Sequence, residues 1–513
     1  MGLLALQRLM SLQRDPQRRR RQKISGSIAL ENKRKGSPCQ RDGDGDSQTV
    51  KMMRSSNPEL PEDIWHHIHS LMPMHDAARV ACLSRAFLHS WRCYPNLSLS
   101  RDIVRSKEHA CRGDLSNKID HILRNHSGRL KVLKLGLDGI SCRYLDSWLH
   151  IAVTAGIEEL TLMPFRHKYN VPSSLFSDGV RYSIRYLELG FCTFRPTAEL
   201  GPLRSLTSLH LCTLRITGDE LECLLSKALA LEQLVIIDCK EIICLKVPCV
   251  LQQLSYLKII GWWRLRAVES KAPNLSNFFL SGEIRKVSLG ETSRIKNLTL
   301  FRSNVVCYAR SELSCTMPNL ETLVLSSDEE VVNTPILPTK FLYLKHLTIY
   351  MVSGLSFSPS YDYFSLVSFL LASPSLETLI LNVTQQCMEH ESAVGGSSHL
   401  RKMPEHQHCC LKSVEIIGFS SAKGLVELAC FILKNAVSLE CLTLDTLYGP
   451  RCFGKSDKRC ISMSNSVLSE APRAVTAIRE YIEDKVPSTV QLTVLEPCSR
   501  CHTRPGWFLS QIV

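Results

Sequence analysis

The chain has 513 residues, of which 44% are hydrophobic and 22% charged, with a formal net charge of +13. That length and balance can bury a large core divided over several units, and no stretch reaches the eighteen or so uninterrupted apolar residues of a membrane span. Twenty-two cysteines in a chain whose opening MGLLALQRLMSL lacks a leading positive charge and is broken by Arg8 are read as reduced thiols, not as a secreted disulfide framework.

The charge is concentrated at the start. Residues 1–56 hold thirteen Lys and Arg against five Asp and Glu, a net of +8 out of +13. Arg18-Arg19-Arg20-Arg21 with Lys23, then Lys33-Arg34-Lys35, sit among Gly, Ser, Asn and Gln with little apolar periodicity, so this segment is expected to be a disordered basic tail. It reads as a nuclear localisation signal, a nonspecific polyanion contact or a solvated tail; the expected location is nucleus and/or cytoplasm. Asp42, Asp44 and Asp46 alternate like calcium ligands, but Ser47 replaces the turn glycine and Met53 the closing Glu of an EF-hand loop.

Residues 60–91 read LPEDIWHHIHSLMPMHDAARVACLSRAFLHSW. Pro61 suits a first helical position, and Glu62 and Asp63 complement the positive end of the helix dipole. Ile64, Ile68 and Leu71 fall at i, i+4 and i+7, and Pro73 ends the run. A second helix is expected from Asp76, carrying Val80, Leu83, Phe87, Leu88 and Trp91. So short a unit has more apolar surface than it can bury alone and normally needs a metal, disulfides or a partner to cover it. Leu60-Pro61 with Asp63-Ile64, then Ile68, Leu71, Asp76, Arg79, Leu83, Ser84 and Arg85, resemble an F-box, with Phe87 where many F-boxes carry Trp; MPMHDAAR and Trp91 resemble the version common in plants. The resemblance implies docking onto the Skp-type adaptor of a Skp-cullin-F-box ubiquitin ligase and, through it, contact with cullin. Leu60, Pro61, Ile64, Ile68, Leu71, Pro73, Val80, Leu83, Phe87 and Trp91 are the candidate adaptor-binding residues.

From residue 130 an L-x-x-L-x-L phrase recurs thirteen times, starting at Leu130, Ile157, Ile184, Leu206, Leu231, Leu254, Leu275, Ile295, Leu320, Leu344, Leu376, Leu411 and Leu439. Starts are 20 to 35 residues apart, mostly within the 20–29 range of leucine-rich repeats, which the array resembles. In a strand the fourth and sixth positions face the core and the residue between them faces away. Stacked phrases make a parallel sheet, with return segments such as 218–230 and 365–373 expected as helices or irregular turns. The Asn or Cys expected at the ninth position occurs only as Cys192 and Cys239, which predicts an uneven arc.

The outward residues are Lys134, Thr161, Glu188, His210, Val235, Lys258, Phe279, Thr299, Val324, Thr348, Ile380, Glu415 and Thr443. A nucleic-acid track would cluster Lys and Arg with stacking aromatics, whereas this mixed, partly apolar ladder suits a protein partner. Trp262 and Trp263, near Arg264 and Arg266, add favoured hot-spot residue types. Glu188, His210, Lys258, Trp262, Trp263 and Phe279 are the candidate target-binding residues.

Cys498-Ser499-Arg500-Cys501-His502 has haem-attachment spacing but follows a strand near the end of the sequence, away from any helical haem pocket. As a zinc site, Cys498, Cys501 and His502 lack an identifiable fourth ligand; His406, His408, Cys409 and Cys410 could supply one but read better as a polar loop. No cofactor or metal is expected. Residues 451–473 look like a loop, 474–486 a helix, and the run from Gln491 a strand closing the array.

The expected fold is an α/β solenoid: a leucine-rich-repeat horseshoe with a parallel concave sheet over 101–450, preceded by a small all-helical F-box over 57–100 and the basic tail over 1–56, and closed by a loop and helix-strand cap over 451–513. No Walker loop, nucleophile elbow or H-E-x-x-H helix is present, so no intrinsic enzymatic activity is expected. The expected function is substrate recognition for a ubiquitin ligase. Two readings stand beside it: a leucine-rich-repeat scaffold or inhibitor unconnected to ubiquitination, and a nucleic-acid binder working through the tail. Expected partners are the Skp-type adaptor, cullin and a target protein, with no membrane.

Overall fold

The computed structural model describes residues 61–100, 112–136, 142–154, 156–164, 169–176, 178–197, 200–261, 264–330, 340–351, 361–384, 390–395, 399–401, 405–449 and 460–502. The basic tail, Leu60 and the Trp262-Trp263 pair lie outside them.

Three helices open the described chain: α1 (Glu62–Leu71), α2 (Met74–Val80) and α3 (Arg85–Arg92). The single second helix expected from Asp76 is therefore two helices, beginning two residues earlier. Ser84 divides them: its backbone is extended and its hydroxyl accepts from the Phe87 N–H at 3.1 Å, so it caps α3 where a continuous helix would have run. A strand not read from the sequence follows at once, β1 (Asn96–Ser100).

β1 begins a 15-stranded sheet that contains all thirteen repeat phrases. The repeats supply β2 (Val132–Gly136), β3 (Glu159–Met163), β4 (Tyr186–Gly190), β5 (Ser208–Cys212), β6 (Gln233–Ile237), β7 (Tyr256–Ile260) and β8 (Asn277–Ser281). They continue with β9 (Asn297–Phe301), β10 (Thr322–Ser327), β11 (His346–Met351), β12 (Thr378–Val383), β13 (Ser413–Ile417) and β14 (Cys441–Asp445), and β15 (Gln491–Leu495) closes the edge. Strand order follows sequence order and every pairing is parallel. This is an α/β solenoid.

Period-two geometry explains the burial. Taken over all thirteen phrases, no first, fourth or sixth position is more than 5% exposed. Each such aliphatic side chain contributes about 1.5–3 kcal/mol by leaving water, and only stacking against the neighbouring repeat removes enough water to realise it. The residue after the strand often turns the chain out in the left-handed region, as at Phe191 (φ 55°), Thr213 (φ 50°) and Asp238 (φ 48°). Their N–H groups donate to the carbonyls of Cys212, Ile237 and Ile260 in the next strand, at 3.0, 2.7 and 2.7 Å. These bonds offset the unfavourable φ.

Return segments differ along the array. Gly218–Leu225 is a helix with a capping box, in which Thr217 Oγ1 accepts from the Glu220 N–H at 3.3 Å and Glu220 Oε2 from the Thr217 N–H at 2.8 Å. The stretch 363–372 is a 3₁₀ turn running into a helix. In the middle, however, the returns are strands: Cys244–Val247, Ala267–Ser270 and Lys286–Leu289 form a second, three-stranded parallel sheet. The phrases starting at Leu231, Leu254 and Leu275 are only 23, 21 and 20 residues from the next, too few for strand, helix and two turns.

The closing segment also departs from expectation. Its helix spans Asn465–Tyr481 and begins inside the stretch read as a loop. Ser464 caps it, and Pro472 sits in its interior. Ala471, Ala474, Ile478 and Ile482 are buried on one side. No helix among the described residues is long and apolar enough to cross a membrane.

Candidate docking and recognition surfaces

The helical end is built around Trp65, His69 and Phe87. The Phe87 ring meets Trp65 edge-on at 5.0 Å and lies 5.4 Å from His69, so α1 and α3 are joined through Phe87. Glu62 and His89 pair at 2.7 Å across the same junction. Trp91 packs against Tyr94 at 5.4 Å, and Tyr94 donates its hydroxyl to the Met72 carbonyl at 2.9 Å. Met72, Met74 and Trp91 pack on the buried core that continues into the repeats, which ties the helices to the first strand.

With those rings turned inward, Ile64 (42% exposed), Ile68 (36%), Leu71 (72%) and Leu83 (74%) are left in solvent, joined by Leu88. Pro61 and Pro73 are exposed and Val80 half-buried. The candidate adaptor residues thus fall into two sets. Phe87, Trp91 and Val80 are half-buried, the two aromatics in the protein's own packing; Ile64, Ile68 and Leu71 form an exposed stripe along α1, and Leu83 is exposed as well. A groove beside it is lined by Ala81, Leu83, Ser84, Leu88 and Trp91.

On the open face of the sheet the outward ladder runs in register from Ser98 through Lys134, Thr161, Glu188, His210, Val235, Lys258 and Phe279 to Thr299, and on to Thr443 and Thr493. Its first third is a polar cluster. Tyr186 donates to Glu188 Oε2 at 3.0 Å and lies 3.1 Å from His210 Nδ1; Thr161 donates to the same Glu188 oxygen at 3.1 Å, and Ser208 Oγ lies 3.2 Å from His210 Nε2. Burial pushes the Tyr186 phenol up, with the Glu188 charge adding to it. Burial pushes His210 down, against the pull of Glu188 and with Lys258 assisting. Tyr186 belongs to this group although the sequence reading passed over it: it sits two residues before Glu188 on the same strand face.

The middle of the ladder is aromatic and cationic. Lys258 Nζ lies 4.7 Å from the centre of the Phe279 ring, and the Phe301 ring lies tilted beside Phe279 at 5.3 Å. Burial lowers the Lys258 pKa. Glu188 and His210 are thus brought together, as are Lys258 and Phe279.

The cysteine and histidine groupings are sorted differently from the sequence reading. His408 is buried near the sheet, its Nε2 2.9 Å from the Ser373 carbonyl and its Nδ1 accepting from the Leu411 N–H at 3.2 Å, which is a structural role. The partner that joins Cys498 and Cys501 is Cys460 instead, with the ligand atoms of the three within 4.8 Å of one another.

Comparisons with known proteins agree with this architecture. The family model described as "At1g61320/AtMIF1, LRR domain" matches residues 122–499, about three quarters of the chain. The chain is 23% identical over 405 residues to the F-box/FBD/LRR-repeat protein At1g13570 of Arabidopsis thaliana, covering 76% of this chain and 90% of that one. It is 22% identical over 428 residues to the FBD-associated F-box protein At1g61320, covering 77% and 91%, and 25% identical over 317 residues to the F-box/LRR-repeat protein At3g03360, covering 58% and 61%, both also from Arabidopsis thaliana. With fifteen parallel strands behind an N-terminal helical unit, the chain belongs to the At1g61320/AtMIF1 leucine-rich-repeat family, among the plant F-box/leucine-rich-repeat proteins.

Proposed function

We propose that this protein is the substrate-recognition subunit of a Skp-cullin-F-box ubiquitin ligase and performs no chemistry itself. The observation that carries the reading is the exposure of four large aliphatic side chains on the helical unit, Ile64, Ile68, Leu71 and Leu83. Such exposure on a small helical unit marks a protein interface, and each of these side chains would contribute about 1–2 kcal/mol on being covered. The Skp-type adaptor is the partner that the F-box resemblance and the relatives' names point to.

The repeat face holds the target. Its mixture of a hydrogen-bonded Glu188–Tyr186–His210 group and a Lys258–Phe279–Phe301 group matches the composition of protein interfaces better than that of a nucleic-acid track. The mechanism is proximity. Holding a target beside a conjugating enzyme supported by cullin raises the effective concentration of its lysines, so part of the entropic barrier is met before reaction. The protein would act in the nucleus and/or cytoplasm. Co-purification of the full chain with a Skp-type adaptor, compared between wild type and a Leu71→Asp/Leu83→Asp variant, tests the reading.

A further inference from the structure

We infer that Cys460, Cys498 and Cys501 form a structural zinc site that locks the closing cap onto the end of the sheet. The Cys498-x-x-Cys501 pair is folded into one helical turn, Ser499–His502, in which the Cys501 and His502 N–H groups donate to the Cys498 carbonyl at 3.1 and 3.0 Å. That turn gathers the two thiols at one point. The third comes from 38 residues earlier in the chain, just before the cap of the Asn465–Tyr481 helix, and all three ligand atoms lie within 4.8 Å of one another. A tetrahedral zinc with Zn–S bonds of about 2.3 Å sets its sulfurs about 3.8 Å apart, so little movement is needed. All three cysteines are half-buried, which shields a site from solvent yet leaves an entry path. Soft thiolates in a tetrahedral set select zinc among the common divalent ions. A closed structural site takes four protein ligands, and the nearest further one in the sequence is His502, which follows Cys501 directly and lies outside the 4.8 Å set.

The location gives the site a purpose. β15 is the last strand of the sheet, and its residues are exposed or half-buried. An edge strand of this kind needs protection from non-native pairing. Cys498 lies three residues past that strand and Cys460 five before the last long helix, so one ion would join the exit of the edge strand to the entry of the cap. Loading it releases the thiol protons as the thiolates bind.

The test uses the full-length protein purified in reductant without chelator. Elemental analysis should find about one zinc per chain. Replacement with cobalt should give a thiolate-to-cobalt charge-transfer band that disappears in Cys460→Ser, Cys498→Ser and Cys501→Ser but persists in Cys249→Ser, an exposed thiol elsewhere. Should the serine variants fold poorly, alkylation of the wild type decides. Bound zinc should protect these three cysteines from iodoacetamide, and chelation should expose them and lower the Tm. Zinc absent from the wild type, a disulfide between any two of the three in the reduced preparation, or metal that survives Cys498→Ser/Cys501→Ser and vanishes on His89→Ala would overturn the assignment. The last result would move the metal to His66, His89 and Cys93, the other described group able to hold an ion.

Discussion

The Ser421 backbone N–H donates to Glu470 Oε1 at 2.9 Å, linking the turn after β13 to the closing helix 49 residues further on. The Ser421 hydroxyl donates to the same oxygen, and His390 Nε2 lies 3.3 Å away. Burial by itself would raise this carboxyl, but the His390 and Ser421 bonds outweigh it and hold Glu470 at about 2. The folded pKa lies below the ordinary glutamate value of 4.5, so the stabilisation is complete above about pH 4.5 and is lost as pH falls toward 2. Glu470→Gln should lower stability at pH 7 by on the order of 1–3 kcal/mol, with the gap to wild type closing as pH falls through that window. Thermal melts across pH check it; a constant difference would show that the charge is not what matters.

Arg401 is a clamp. Its Nε donates to Glu427 Oε2 at 2.8 Å and its two terminal nitrogens donate to the Asp362 oxygens at 2.7 Å each, while its backbone N–H donates to Glu427 Oε1. The Glu427 side chain is fully buried. Arg401→Met should therefore cost about 3–5 kcal/mol by leaving a buried carboxylate uncompensated. The double variant Arg401→Met/Glu427→Gln should be less destabilised than the sum of the two single changes. Denaturant unfolding of the four proteins measures the coupling; additivity would rule the clamp out.

Phe87 and Leu83 separate packing from docking. Phe87 bridges Trp65 and His69, so Phe87→Ala should cost about 2 kcal/mol or more of F-box stability. Leu83→Asp, 74% exposed, should shift stability by no more than about 0.5 kcal/mol. Hydrogen exchange over residues 61–100 reads both, and equal effects would mean that the two side chains do not play separate parts.

The two ends should fail independently. Lys258→Glu with Phe279→Ala breaks the cation–π pair in mid-ladder and should cut recovery of target proteins at least tenfold, about 1.4 kcal/mol, with adaptor binding unchanged. Quantitative proximity labelling with the proteasome inhibited gives the comparison. Unchanged recovery would remove this part of the face from target recognition.

The ladder was legible because thirteen phrases with strand periodicity leave each outward residue one possible side, and register follows from stacking. β1 escaped because Tyr94 stands where the phrase has its first Leu, although Leu97 and Leu99 occupy the fourth and sixth positions. Tyr94 is as buried as the Leu it replaces, so the rule describes burial and not residue type. Ser84 resembles an F-box residue in the sequence, but its capping of a separate helix depends on an extended backbone that the apolar spacing does not reveal. The Cys460–Cys498–Cys501 and Ser421–Glu470 groupings join segments 38 to 49 residues apart by folding back, a distance over which local patterns carry no information.

The central claim is that the exposed aliphatic side chains of the helical unit connect this protein to a ligase. The direct measurement is the affinity of the full chain for a purified Skp-type adaptor, in wild type and in Leu71→Asp/Leu83→Asp, with the fold of each verified by thermal melting. The account predicts a stable wild-type complex weakened at least a hundredfold, about 2.7 kcal/mol, in a variant that remains folded. Undiminished binding by that folded variant, or no binding by the wild type, would contradict it.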